Sequence, residues 1–232
     1  MRKLLIFLIL VFFYAIPASG ETVKIETLLD QMISAYGGEE NLKKLNTYRQ
    51  EWSLTAAMSG EKGFDSRSVA LPDRLRVELV YFAHNEIRIL NGDGGLKIYN
   101  RTQKKKVQSP GLDAMKLQRM RLYHPLTLKE RLHNSSLTQK EGFHVIILSE
   151  KELITEYYIN PSTFMIEKVV GLIQAGGMSM EFKTLYSDFR KVDGVVLPHK
   201  EVKFAGATNT AVLTLKKIEL LKMHDVKLFE LK

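Results

Sequence analysis

The chain has 232 residues, 45% apolar, 26% charged and 9% aromatic, which suffices to bury a core and excludes disordered, collagen-like and polytopic membrane classes. The formal charge is +8, and +6 once the first twenty residues, which hold Arg2 and Lys3 and no acid, are set aside. Spread along the chain without an Arg/Lys stripe, that charge favours anionic surfaces such as phospholipid headgroups and argues against nucleic acid as a partner. Cysteine is absent, so disulfides, thiolate catalysis and cysteine-bound metal are excluded together.

The N-terminus runs Met1-Arg2-Lys3, then an apolar stretch from Leu4 to Ile16, then Pro17-Ala18-Ser19-Gly20. This pattern predicts a secretory signal peptide over 1–20, cleaved after Gly20, because the apolar stretch is shorter than the roughly twenty residues a spanning helix needs. With no cysteine after that point, the expected product is an exported protein without a lipid anchor, a single domain over 21–232.

From Val23 to Tyr36 the apolar residues Ile25, Leu28, Leu29, Met32, Ile33 and Tyr36 share one helical face, and Gly37-Gly38 supply a left-handed stop. A short helical piece follows over Glu39–Leu45. The period then becomes two: Trp52, Leu54, Ala56 and Met58 alternate with polar residues, as do Leu75, Val77, Leu79 and Tyr81, which predicts antiparallel strands with one buried face. Strands over Glu86–Leu90 and Leu96–Asn100 flank the turn Asn91–Gly95, where Asp93-Gly94 is a hairpin signal. Lys104-Lys105-Lys106 is expected near an exposed tip. Between Asp113 and Leu132 the period is helical, broken at His124-Pro125. Six further strands are predicted over Phe143–Ser149, Leu153–Asn160, Phe164–Ile173, Met178–Arg190, Val195–Phe204 and Ala211–Leu221. The order implies an α+β domain: a large curved antiparallel sheet of ten or eleven strands with helices to cover its apolar face.

Catalytic patterns are missing. The six histidines form no i, i+4 helical pair, and neither a Gly-x-Ser-x-Gly elbow nor a phosphate-cradling glycine loop occurs. The expected protein is not an enzyme and needs no metal or cofactor. Leu117, Met120 and Leu122 in the helical insertion, with Met178 and Met180, supply flexible apolar groups of the kind that accommodate variable apolar ligands.

Several segments together resemble a known family. Tyr36-Gly37-Gly38 followed by Leu42 and Leu45, the strand entry Leu71-Pro72-Asp73-Arg74-Leu75-Arg76, Ile89-Leu90-Asn91-Gly92-Asp93, and Tyr157-Tyr158-Ile159-Asn160-Pro161 are similar to segments of the periplasmic LolA/LolB-like lipoprotein-carrier superfamily. Tyr186-Ser187-Asp188-Phe189-Arg190, Val192-Asp193-Gly194-Val195-Val196-Leu197-Pro198 and the closing Leu228-Phe229 resemble the last strands of outer-membrane lipoprotein-sorting proteins. The resemblance implies an unclosed β-barrel whose helices form a lid over an apolar cavity for acyl chains. It further implies a soluble carrier or binder of lipoproteins or other acylated lipids, exchanging cargo at envelope membranes. The alternative is an envelope sensor or interaction module that uses the same concave surface to recognise a lipoprotein or a membrane-protein partner.

The strand alternation nominates Trp52, Leu54, Val77, Leu79, Tyr81, Met180 and Phe182 as the cavity lining, although the same alternation describes a filled core. Leu28, Met32, Ile33, Leu117, Met120 and Leu122 are the lid candidates.

Overall fold

A computed structural model describes residues 24–81, 85–175 and 178–232; the predicted signal peptide lies outside them. The chain begins with α1 (Ile25–Ala35) and α2 (Glu39–Leu42), the latter running into a 3-10 turn at Lys43–Asn46. α1 buries Leu28, Leu29, Met32 and Ile33. It stops as its sequence demands: Gly38 N–H donates to Ile33 O (2.9 Å) and Gly37 N–H to Ser34 O (3.1 Å), a Schellman closure with φ of +111° at Gly37.

Six strands follow: β1 (Thr47–Ala56), β2 (Lys62–Ala70), β3 (Arg74–Val80), β4 (Asn85–Asn91), β5 (Gly94–Tyr99) and β6 (Gln103–Val107). Two helices interrupt, α3 (Gly111–Met120) and α4 (Pro125–Lys129). Pro125 occupies the first turn of α4, where its missing N–H costs nothing, so the predicted break at His124-Pro125 is a helix start. Seven more strands complete the chain: β7 (Ser135–Lys140), β8 (Phe143–Glu150), β9 (Leu153–Ile159), β10 (Ile166–Ala175), β11 (Met178–Val192), β12 (Val195–Ala205) and β13 (Thr208–Leu220).

All thirteen strands belong to one antiparallel sheet, ordered β6-β5-β4-β3-β2-β1-β13-β12-β11-β10-β9-β8-β7. Every neighbour is a hairpin partner except β1 and β13, which zip the two halves together from Tyr48↔Leu220 to Ala56↔Ala211. The edges β6 and β7 do not pair, so the barrel stays open.

Two contacts measure how strongly the sheet rolls. Arg67 on β2 and Glu201 on β12 are three strands apart, about 14 Å on a flat sheet, yet their side chains meet at 2.7 Å. α3 touches β4 and β5 on one half and β9 and β10 on the other. β5 and β10 are eight strand steps apart, about 38 Å if flat, whereas a helix is about 10–12 Å wide.

The close approach of α3 depends on glycine at both walls. A Cβ on Gly95 of β5 would lie 2.8 Å from a Leu112 methyl, and one on Gly171 of β10 would lie 3.0 Å from a Leu117 methyl. Two apolar clusters on the inner face include helix residues. In one, Leu28, Leu29 and Met32 pack with Leu117, Met120, Leu128 and the β8–β10 residues Ile146, Tyr157 and Val169. In the other, Ile33, Tyr36, Leu42 and Leu45 pack with Val69, Val77, Leu90 and Val195. Ala70, Ile89 and Leu96 form a separate cluster capped by Phe229 from a 3-10 turn at Val226–Phe229.

Three expectations are corrected. The sheet has thirteen strands rather than ten or eleven, because β2, β6 and β7 carry polar residues where buried strands usually carry apolar ones. Met58 is not an inward strand residue: β1 ends at Ala56 and Met58 is 83% exposed in the following turn. Lys104–Lys106 form an edge strand rather than a tip, a placement where lysine opposes edge-to-edge association.

Candidate functional site

The inner row of β1 runs Tyr48, Gln50, Trp52 and Leu54, all buried. Antiparallel pairing sets Gln50 opposite Arg67 and Trp52 opposite Asp65, so the neighbouring inner row on β2 is Asp65, Arg67 and Val69. Asp65 and Arg67 are fully buried, an arrangement affordable only with complete pairing.

Arg67 achieves it. Its Nε and Nη2 donate to Asp65 Oδ1 and Oδ2, both at 2.9 Å, and its Nη1 and Nη2 donate to Glu201 Oε1 at 2.7 Å and Oε2 at 2.8 Å. The guanidinium lies 4.8 Å from the centre of the Trp52 ring. Lys203, one inward position beyond Glu201 on β12, donates to Asp65 Oδ2 at 3.2 Å. Arg121, just past α3, donates through Nη1 to Thr184 Oγ1 at 3.3 Å and lies 3.6 Å from Glu201 Oε2.

Burial alone would neutralise these carboxyls, but the cations outweigh it. Arg67 and Lys203 hold Asp65 well below the usual carboxylate range, and Arg67, Arg121 and Lys203 hold Glu201 at about 2. Lys203 is pulled down to about 7 by burial and by the charge of Arg121. The group is thus a network of permanent charges with Lys203 as its titratable member.

Space opens on both sides of this network. One cavity, of about 370 Å³, lies between α3 and strands of both sheet halves; it is lined by Met115 and Leu117 of α3, by Val169, Phe182 and Phe204 of the sheet, and by basic residues that include Arg121 and Lys203. Its volume falls within the roughly 300–1,000 Å³ typical of small-ligand sites. A smaller one, about 80 Å³, is bounded by Tyr48, Trp52, Leu122, His124, Tyr186 and Glu201. Arg121 touches both. Burial lowers His124 to about 4, keeping it neutral; its Nε2 lies 3.0 Å from Asn46 Oδ1 and 3.3 Å from Thr127 Oγ1.

The predicted lining residues distribute among these features. Phe182 borders the larger cavity and Trp52 the smaller. Leu54 packs with Ala211, Leu213 and Leu215, while Leu79 and Tyr81 are partly buried against that cluster. Val77 belongs to the cluster beneath α2, and Met180 is partly buried against the one beneath α1. Among the lid candidates, Leu28, Met32 and Met120 are completely buried, Ile33 and Leu117 nearly so. Leu117 borders the larger cavity and Leu122 the smaller.

Sequence reasoning missed Asp65, Arg67, Arg121, Glu201 and Lys203. The available signal was the two-residue spacing of Gly63, Asp65, Arg67 and Val69, which is a strand pattern with ions on its inner face.

No protein-family model and no curated protein matches the sequence. Solved structures match in shape. A LolA superfamily protein from Nitrosomonas europaea aligns with 90% of this chain and 98% of its own, at 11% identity and a TM-score of 0.57. A domain assigned to outer membrane lipoprotein sorting from Vibrio parahaemolyticus aligns with 89% of this chain and 97% of its own (9% identity, TM-score 0.51). A DUF1329 family protein from Desulfovibrio piger covers 89% and 97% respectively, with 8% identity and a TM-score of 0.52. Thirteen antiparallel strands rolled into an unclosed barrel, matched end to end by these structures, give this chain the LolA-like fold.

Proposed function

We propose that this protein is an exported, periplasmic binder or carrier of acylated lipids or lipoproteins, a single domain over 21–232 that hides an acyl chain from water without chemically altering it. The observation that carries this reading is the cavity of about 370 Å³ between α3 and both halves of the sheet, with Met115, Leu117, Val169 and Phe182 on its walls. Each buried methylene contributes about 0.8 kcal/mol, so a chain of about fourteen carbons gains on the order of 10 kcal/mol before ordering costs.

In this reading α1 and α3 are the lid, through Leu28, Met32, Ile33, Leu117, Met120 and Leu122. When empty, they pack on the sheet themselves; when the cavity fills, they move outward. Trp52, Leu54, Val77, Leu79, Tyr81, Met180 and Phe182 are the inner-strand residues this reading assigns to the lining, with Phe182 at the larger cavity and Trp52 at the smaller. The LolA-like fold of the lipoprotein-sorting domain and its relatives supports the same reading.

Native mass spectrometry of protein isolated from the periplasm without detergent, followed by solvent extraction, tests it. An acylated molecule bound in one-to-one ratio is the expected result. Protein that carries no lipid and takes up none from added acyl ligands or vesicles refutes it.

A further inference from the structure

The larger cavity has a chemical polarity that an acyl-chain site alone does not require. Five basic residues border it, Arg88, Lys97, Arg121, Lys183 and Lys203, and no acidic one among the described residues. Arg88 and Lys97 share one carboxylate, Glu86, at 2.8 Å and 3.2 Å. Lys183 stands over the Phe204 ring at 4.7 Å.

Arg121 is the one with a buried donor left idle. Its side chain is 9% exposed, its Nε donates to Gln118 O at 3.2 Å and its Nη1 to Thr184, yet its buried Nη2 has no hydrogen-bond partner among the described residues. The nearest carboxylates are already committed, since Arg67 engages both oxygens of Asp65 and both of Glu201. Three basic groups, Arg67, Arg121 and Lys203, therefore share two carboxylates, and the two arginines alone already balance them. A buried guanidinium with an idle donor, whose nearby carboxylate Glu201 is shared with Arg67 and Lys203, gains from an anion that completes it.

Resting on the lipid-binding reading above, we propose that the cavity takes an amphiphile with one acyl or alkyl chain and an anionic head, a carboxylate or a phosphate monoester, whose oxygens accept from the Arg121 guanidinium beside Lys203. The chain then lies along Leu117, Val169 and Phe182. The depressed proton affinity of Lys203 agrees, because an anion at Arg121 cancels the repulsion that contributes to it.

The test compares tetradecanoate, tetradecyl phosphate and tetradecanol by isothermal titration with the purified protein, each below its micellar concentration. A charge-assisted hydrogen bond in a partly dry site favours both anions over the alcohol by about tenfold or more. Arg121→Gln is expected to abolish that preference while tetradecanol binding stays within about threefold. Equal affinity for all three on the wild-type protein overturns the head-group site and leaves the acyl-binding reading intact; this comparison needs no variant and stands if Arg121→Gln fails to fold. No binding by any of them overturns both. Inorganic phosphate binding as tightly as tetradecyl phosphate overturns the amphiphile in favour of a free-anion site.

Discussion

Replacing Arg67 by methionine removes the group that connects Asp65 to Glu201, and its cost follows from what remains. Two carboxylates, 0% and 2% exposed, keep only Lys203, at 3.2 and 3.7 Å, and Arg121 at 3.6 Å from Glu201. Four hydrogen bonds of 2.7–2.9 Å and the contact with Trp52 disappear. Breaking a buried ion pair on one side costs about 3–5 kcal/mol, a large part of the 5–15 kcal/mol that stabilises a typical domain. For a domain of this size the melting temperature is expected to fall by roughly 6–20 °C. Urea unfolding followed by fluorescence of Trp52, the sole tryptophan, provides the assay, and the reporter sits directly beside the change. The triple replacement Arg67→Met, Asp65→Asn, Glu201→Gln should recover most of the loss, because it removes the orphaned charges along with their partner. A loss below about 1 kcal/mol for Arg67→Met alone, with an unchanged urea slope, would refute the view that Arg67 is the counter-charge both acids need.

His124 has a folded pKa of about 4 against an ordinary 6.5, so between those values the unfolded chain binds more protons and stability falls as pH drops. The loss approaches about 3 kcal/mol by pH 4, and His124→Gln should flatten the stability profile over that window in urea titrations at pH 7 and 4.5. Below about pH 4 the depressed carboxyls of Asp65 and Glu201 add a further loss. Gly37→Ala is expected to destabilise by more than about 1 kcal/mol, since φ is +111° and the new Cβ meets the Gly194 carbonyl oxygen; thermal denaturation reads the effect. Gly171→Leu drives a side chain against Leu117 at the wall of the larger cavity, so it should displace α3 and weaken tetradecanoate binding while circular dichroism retains the strand signal; unchanged affinity would remove the cavity from consideration.

Much of the fold was legible because burial leaves a periodic trace. The helical face Leu28, Met32 and Ile33, the stop at Gly37-Gly38, the alternation around Trp52 and Val77, and the long C-terminal hairpins each reflect a local rule that acts within a few residues. β6 and β7 left no such trace because they are sheet edges with much of their surface in water, and β2 left none because its inner face carries Asp65 and Arg67. The apolar lining was legible only as a list of inward positions, since alternation records which face is buried and not what fills the space beyond it. Of the charged network only the two-residue spacing of Asp65 and Arg67 was legible, and nothing in the sequence marked their partners. Arg67 meets Glu201 across 134 positions of sequence, and Arg121 reaches both cavities from the end of the helical segment inserted between the two halves of the sheet. Sequence periodicity by itself determined which residues leave water; the curvature of the rolled, unclosed sheet decided which of them meet, because opposite charges are stable in a dry interior only where the fold brings them within hydrogen-bonding distance.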